Sequence, residues 1–261
     1  MRQRRPYVNH DEARQVLSRA LAADGPRLIT VRADSGKGKS TLLSWFEDEC
    51  QSQDTPCASL TFREVRSFDA FQVLDALAQK LKGCKFKEYQ KRVREHMGAA
   101  GAAVTIQNVT LDGSQISGIQ AIASDPTRRR YVLAQLTDAW LADVNAFAAR
   151  RRRVVLMLDT FEEASDEVKM WLGNALQSLR ETTNVLLLVA GREKVTVDAA
   201  RWGDECCELE LPAELEYHWW REYAEGTGAL GELGEKMLQR YHKKFRGDPK
   251  MMSILCDPET S

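Results

Sequence analysis

The sequence predicts a three-layer α/β/α fold around a mainly parallel sheet, and three observations carry that prediction. Short apolar runs such as Val154–Leu158 and Val185–Val189 lack any polar alternation, so both of their faces must be covered. These runs alternate with longer stretches whose apolar residues recur at helical spacing. The first strand and helix, Leu28–Val31 and the segment from Ser40, are joined by a loop rich in glycine and lysine. Such alternation places helices on each side of a parallel sheet. Composition sets the bounds. The chain has 261 residues, 43% hydrophobic and 29% charged, enough to bury a core without disulfides or structural metal. Its 37 Lys+Arg against 38 Asp+Glu give a net charge of -1, which argues against a surface built throughout for nucleic acid.

Taken in order, Leu28-Ile29-Thr30-Val31 is a buried strand opening after Gly25-Pro26. Leu42, Leu43, Trp45 and Phe46 then mark a helix from Ser40 to Cys50. Asp54-Thr55-Pro56 turns the chain into a strand at Ala58–Phe62. Phe71, Leu74, Leu77 and Leu81 share one face of a helix over Phe68–Leu81. Residues 98–125 interrupt the rhythm, being rich in Gly, Ala, Ser and Thr. Val104 and Ile106, then Val109 and Leu111, alternate ahead of Asp112-Gly113, which predicts an inserted β-hairpin, with a disordered loop as the competing reading. Arg128-Arg129-Arg130 and Arg150-Arg151-Arg152-Arg153 bracket one helix and read as its solvated ends rather than as a nucleic-acid surface. Beyond residue 212 the strands stop. Pro212–Tyr223, Leu230–Tyr241 and Pro249–Leu255 read as helices, with Trp220 and Tyr223 packing inward. The expected division is a core over residues 1–211 and a helical segment over 212–261.

Six cysteines without a C-x-x-C pair and four scattered histidines give no zinc pattern, so free thiols in a reducing cytoplasm are expected. No apolar run approaches the length of a membrane span, and no apolar stretch follows the basic Met1–Arg5 as a secretory leader would require. A cytoplasmic protein without membrane contact is the expectation.

The sharpest motif is Ala33-Asp34-Ser35-Gly36-Lys37-Gly38-Lys39-Ser40-Thr41, the phosphate-loop pattern G-x-x-x-x-G-K-[ST] with Ala33 in the first glycine's place. Gly36 and Gly38 let the backbone curl so that successive N–H groups face a phosphate. Lys39 supplies a point charge for the β- and γ-phosphates, Ser40 a hydroxyl for Mg²⁺, and the helix that follows its positive end. A second acidic strand end completes the set. Val154–Leu158 ends in Asp159, placed to hold the Mg²⁺, and Glu162 is the candidate to orient or deprotonate an attacking water, ahead of Glu163. Past Val185–Val189, Arg192 is placed to sense a γ-phosphate, with a surface ion pair as the alternative.

In order along the chain, these pieces resemble the STAND class of signal-transducing P-loop ATPases, which includes NB-ARC and NACHT domains. Tyr7-Val8-Asn9-His10-Asp11-Glu12 resembles that class's opening motif, with His10 where Arg is usual. Leu156-Met157-Leu158-Asp159-Thr160-Phe161-Glu162, Val189-Ala190-Gly191-Arg192 and Gly247-Asp248-Pro249 resemble its later signatures. The resemblance implies that Tyr7 and Val8 line the adenine side, Pro249 packs near base and sugar, and Arg192 is a sensor arginine. It implies ATP/ADP and Mg²⁺ as cofactors, slow hydrolysis, and a regulatory switch in signalling or defence that works with protein partners or by self-association. A small-molecule or nucleoside kinase on the same fold, with Arg128–Arg130 in a lid, and a nucleotide-holding scaffold without turnover are the rival expectations.

Overall fold

A computed structural model describes residues 11–22, 25–65, 67–98, 125–151, 153–182, 184–195 and 199–256. Tyr7 and Val8, and the hairpin expected within residues 98–125, lie outside the described residues apart from the segment's ends. Five strands form one sheet: β1 (Leu28–Arg32), β2 (Cys57–Thr61), β3 (Val154–Asp159), β4 (Val185–Gly191) and β5 (Cys206–Glu210). Every pairing is parallel and the order is β2-β3-β4-β1-β5. The expected parallel α/β/α architecture is therefore the one observed.

Register explains why the central strands are so apolar. Leu28 to Arg32 pair with Leu187 to Gly191 on one side and with Cys206 to Glu210 on the other. Alternate residues point to opposite faces, and each face has its own core. Leu28, Leu156, Leu158, Leu187 and Val189 meet the helices α3 (Ala70–Lys80), α4 (Lys87–Gly98), α5 (Pro126–Ala148) and α6 (Asp166–Arg180). Ile29, Val31, Val155, Met157, Leu186 and Leu188 meet α1 (Asp11–Leu21) and α2 (Lys39–Ser52). A run buried on both faces is what a central parallel strand requires. β5 differs: at the sheet's edge, only Leu209 of its five residues is buried.

Local rules set the helix boundaries. Asp69 and Gln72 form a reciprocal capping box, so α3 begins at Ala70, two residues after the expected Phe68. The expected helix over Leu230–Tyr241 is two helices, α9 near its start (Ala229–Leu233) and α10 (Glu235–Phe245), because Gly234 breaks the chain at φ 73, ψ 151. That conformation is open essentially to glycine alone. The helix expected from Pro212 begins at Tyr217 and runs to Thr227 as α8. A short α7 (Ala199–Trp202) precedes β5, and α11 (Pro249–Cys256) closes the described chain.

The helical elements α8 to α11 share a core of their own, with Trp220 at its centre and Tyr223, Leu238 and Met252 around it. Gly247 shapes their approach. It has φ +71, and a Cβ there would collide with the backbone of Leu215, whose N–H donates to the Gly247 carbonyl at 2.8 Å.

Arg128, Arg130, Arg150 and Arg151 are exposed, as solvated helix ends should be, but one arginine of each basic run departs from that expectation. Arg129 reaches Asp69 and Glu167, each at 2.8 Å, over the Phe71 ring. Arg153 is buried and donates from Nε to the Ala20 carbonyl at 3.0 Å. In both cases a tertiary carboxylate or carbonyl compensates a desolvated guanidinium.

Asp75 in α3 is a buried carboxyl whose partner is Gln79 Nε2 at 2.6 Å. Burial pushes it up to about 6, against the lowering effect of the Gln79 hydrogen bond. With the folded value above the unfolded one, its stabilising contribution is complete below about pH 4 and is lost as pH rises through about 6. Asp75→Asn should therefore stabilise the fold at pH 8 by on the order of 2–3 kcal/mol, with the gain disappearing near pH 4. Urea unfolding at the two pH values checks this. Gly247→Ala should destabilise by at least about 2 kcal/mol through backbone strain, read as a lower melting temperature.

Candidate nucleotide-binding site

The site lies where three strands end. β1 runs into residues 33–38, and α2 leaves that loop at Lys39. β3 ends at Asp159, and β4 hands over to Arg192. The carboxyl edge of a parallel sheet is where α/β folds place ligands. The loop's curl is visible in two glycines with positive φ, Gly36 at 79 and Gly38 at 88, and Gly38 caps α2. These are backbone angles that side-chain-bearing residues avoid.

Lys39 turns back into the loop, donating from Nζ to the carbonyls of Ala33 at 2.5 Å and Asp34 at 2.9 Å. It is 8% exposed. Burial lowers its pKa, and the nearby carboxylates of Glu162 and Asp159 partly oppose that shift. Ser40 Oγ donates to Asp159 Oδ2 at 2.7 Å, joining the start of α2 to the end of β3. Asp159 Oδ1 accepts the Thr160 N–H at 2.7 Å. A hydroxyl and a carboxylate at hydrogen-bonding distance form a hard oxygen donor set, the type that suits Mg²⁺.

After Asp159 the chain reverses sharply. Thr160 adopts φ 56, ψ 42, a left-handed conformation that is costly for a β-branched residue. The turn sends Glu162 across to the end of β4, where only 10% of its side chain is exposed. Glu162 Oε2 accepts the backbone N–H of Arg192 at 3.0 Å, and Oε1 meets Arg192 Nε at 3.0 Å. Gly191 makes room for this contact, since a Cβ there would stand 3.1 Å from Glu162 Oε2. Lys169 Nζ adds a bond to the Glu162 carbonyl at 3.0 Å. The ion pair that the sequence left open for Arg192 thus exists, and its acid is the candidate base.

Lys39, Ser40, Asp159, Glu162 and Arg192 are thereby gathered in one crevice. Asp34, Ser35, Gly36, Lys37, Gly38 and Thr41 make up the loop and the first turn of α2. Pro249 is buried at the start of α11, and its neighbours Asp248 and Lys250 touch the loop: Lys37 Nζ donates to Asp248 Oδ2 at 3.0 Å. Sequence reasoning missed Asp248 and Lys250 as site neighbours, because more than two hundred residues separate them from the loop and their local pattern is an ordinary helix start. Among the described residues no group of three or more His, Cys, Asp or Glu side chains is placed to hold a metal by itself, and no helix is long and apolar enough to cross a membrane.

No protein-family model and no curated protein matches this sequence. Solved structures do. The chain is similar to the Walker-type ATPase of Pyrococcus abyssi, with a TM-score of 0.64 at 13% identity over 99% of this chain and 69% of that one. It is also similar to Cdc6p from Pyrobaculum aerophilum, at 0.52 and 12% over 98% of this chain and 62% of that one. A chain of the E. coli MS115-1 HORMA–CdnC–Trip13 complex gives 0.50 and 14%, covering 96% and 79%. At such identities the likeness establishes the fold, and that fold is the one P-loop NTPases use.

If Ser40 and Asp159 hold the metal, Asp159→Asn should leave metal-free ATP binding largely intact. The gain in affinity on adding Mg²⁺ should fall at least about tenfold. Titration of a fluorescent ATP analogue with and without Mg²⁺ measures both.

Proposed function

We propose that the chain is an ATP-binding, slowly hydrolysing regulatory switch module of the STAND type, with residues 1–211 as its nucleotide-binding core and 212–261 as a helical segment ending in the G-x-P-like Gly247-Asp248-Pro249. The carrying observation is the convergence of the phosphate loop, the Ser40–Asp159 hydrogen bond and the Glu162–Arg192 pair in one crevice. In this reading Lys39 and the loop N–H groups bind the β- and γ-phosphates. Ser40 and Asp159 would hold Mg²⁺, which when bound offsets phosphate charge. Tyr7, Val8 and Pro249 belong to the base and sugar side by resemblance.

Glu162 is the base. Its carboxylate accepts the proton of the water that attacks the γ-phosphorus as the bond to the β-bridging oxygen breaks. In the arrangement described, Arg192 occupies that carboxylate, so turnover requires the guanidinium to transfer to the γ-phosphate and free an oxygen. Slow hydrolysis follows from that competition. Partners in signalling or defence, or other copies of the chain, would read the nucleotide state. The kinase reading relied on Arg128–Arg130 as a phosphate clamp, and Arg129 is committed to Asp69 and Glu167 instead.

Lys39→Ala should weaken ATP binding at least about a hundredfold in calorimetry. Unchanged ATP affinity in that variant would refute the site. Glu162→Gln should retain ATP binding and lose at least about a hundredfold in phosphate release. Tight ATP binding by the wild type without any phosphate release would favour the scaffold instead.

A further inference from the structure

Two residues of the helical segment lie on the phosphate loop. Asp248 uses its oxygens separately. Oδ1 accepts the N–H groups of Lys250 at 2.8 Å and Met251 at 3.4 Å, which caps α11, and Oδ2 takes Lys37 Nζ at 3.0 Å. Burial alone would raise its pKa, yet the hydrogen bonds from Lys37, Lys250 and Met251 hold it below the usual carboxylate value. The pair is partly shielded, with the Lys37 side chain 14% exposed. Lys250 lies lengthwise on the loop: a Cβ at Gly36 would stand 3.1 Å from both Lys250 Cβ and Cδ. Its ammonium has no hydrogen bond or ion pair among the described residues.

This is a loop whose purpose is to receive an anion, already holding one. Asp248 neutralises Lys37 from outside, while the Lys250 side chain lies over Gly36 and, among the described residues, its ammonium has no counter-charge. A polyphosphate in the loop would attract Lys37 and repel Asp248, and Lys250 would be a cation of the helical segment already lying against the loop. We propose that Lys250 supplies a cation to the terminal phosphates of a bound nucleoside triphosphate, and that Asp248 is a built-in anion those phosphates displace from Lys37. The helical segment thereby senses whether the loop is filled. The inference rests on the nucleotide-binding reading and goes beyond it by assigning a second, competing set of contacts.

The two residues should act with opposite sign. Asp248→Asn retains a good helix cap and removes the charge, so ATP should bind about three- to tenfold more tightly. Lys250→Met retains the methylene packing on Gly36 and removes the ammonium, so ATP should bind about five- to twentyfold more weakly, with a smaller loss for ADP. In a Lys37→Met background the effect of Asp248→Asn should vanish, since no cation remains to compete for. Calorimetry of the full chain with ATP and ADP, with circular dichroism to confirm folding, provides the measurement. Unchanged or weakened ATP affinity in folded Asp248→Asn overturns the competing-anion role, as does an undiminished gain in the Lys37→Met background. Equal ATP affinity in Lys250→Met overturns the cation role. If the wild type binds ATP and loses it in Lys39→Ala while these variants do nothing, this inference alone fails. Absence of ATP binding in the wild type overturns the nucleotide reading and this inference with it.

Discussion

The hydrogen bond from Ser40 to Asp159 is the constraint on which the rest of the site depends. It spans the gap between the loop after β1 and the end of β3, strands separated in the sheet by β4. Asp159 also binds the Thr160 N–H, so its two oxygens are fixed from both sides. The chain leaves β3 directly after that carboxylate, with Thr160 in a left-handed conformation. A single residue in that region costs roughly 1–2 kcal/mol. The return is position: Glu162 is carried over the end of β4, where Gly191 has no side chain to obstruct it.

A second regularity concerns charge. Three of the cations with a role in the proposed chemistry already have partners, and Lys250 is the exception among the described residues. Lys39 has two carbonyls, Lys37 has Asp248 and Arg192 has Glu162. Desolvated charges left alone would be costly, so this internal pairing lets the site persist without a ligand. It also means that ligand binding exchanges partners instead of creating contacts where none existed. The free energy of binding is then a difference between two well-satisfied states, which is a suitable basis for a switch.

How much of this was legible in the sequence follows from the range of each signal. The phosphate loop, β3 and β4 are local patterns. A glycine–lysine loop between a strand and a helix, and apolar runs ending in Asp159 and near Arg192, need no tertiary information to be seen. β5 was not seen, because an edge strand buries one side only and Cys206–Glu210 offers a single buried leucine. Arg129 and Arg153 read as solvent-facing because their compensating groups, Asp69, Glu167 and the Ala20 carbonyl, come from distant segments. The break at Gly234 was available as a lone glycine inside a helical pattern, and amphipathic continuity on both sides concealed it. The resemblance put Pro249 near the nucleotide, but no local pattern assigned Asp248 and Lys250 their contacts with the loop. Their effect comes from the packing of α11, which depends on Gly247 allowing a close approach to Leu215.

The strand order has a consequence for how the protein is made. β1 carries the phosphate loop and is made well before both its neighbours: β4 begins at Val185 and β5 at Cys206. Until then the strand has no hydrogen-bonding partner in the sheet, and its apolar residues wait for cover. Pairings of such long sequence separation form slowly and leave the intermediate prone to aggregation. The loop is thus synthesised before the strands that flank β1 and acquires its shape only after them. A nascent chain halted before β4 would carry the complete phosphate-binding motif without the sheet that gives it form.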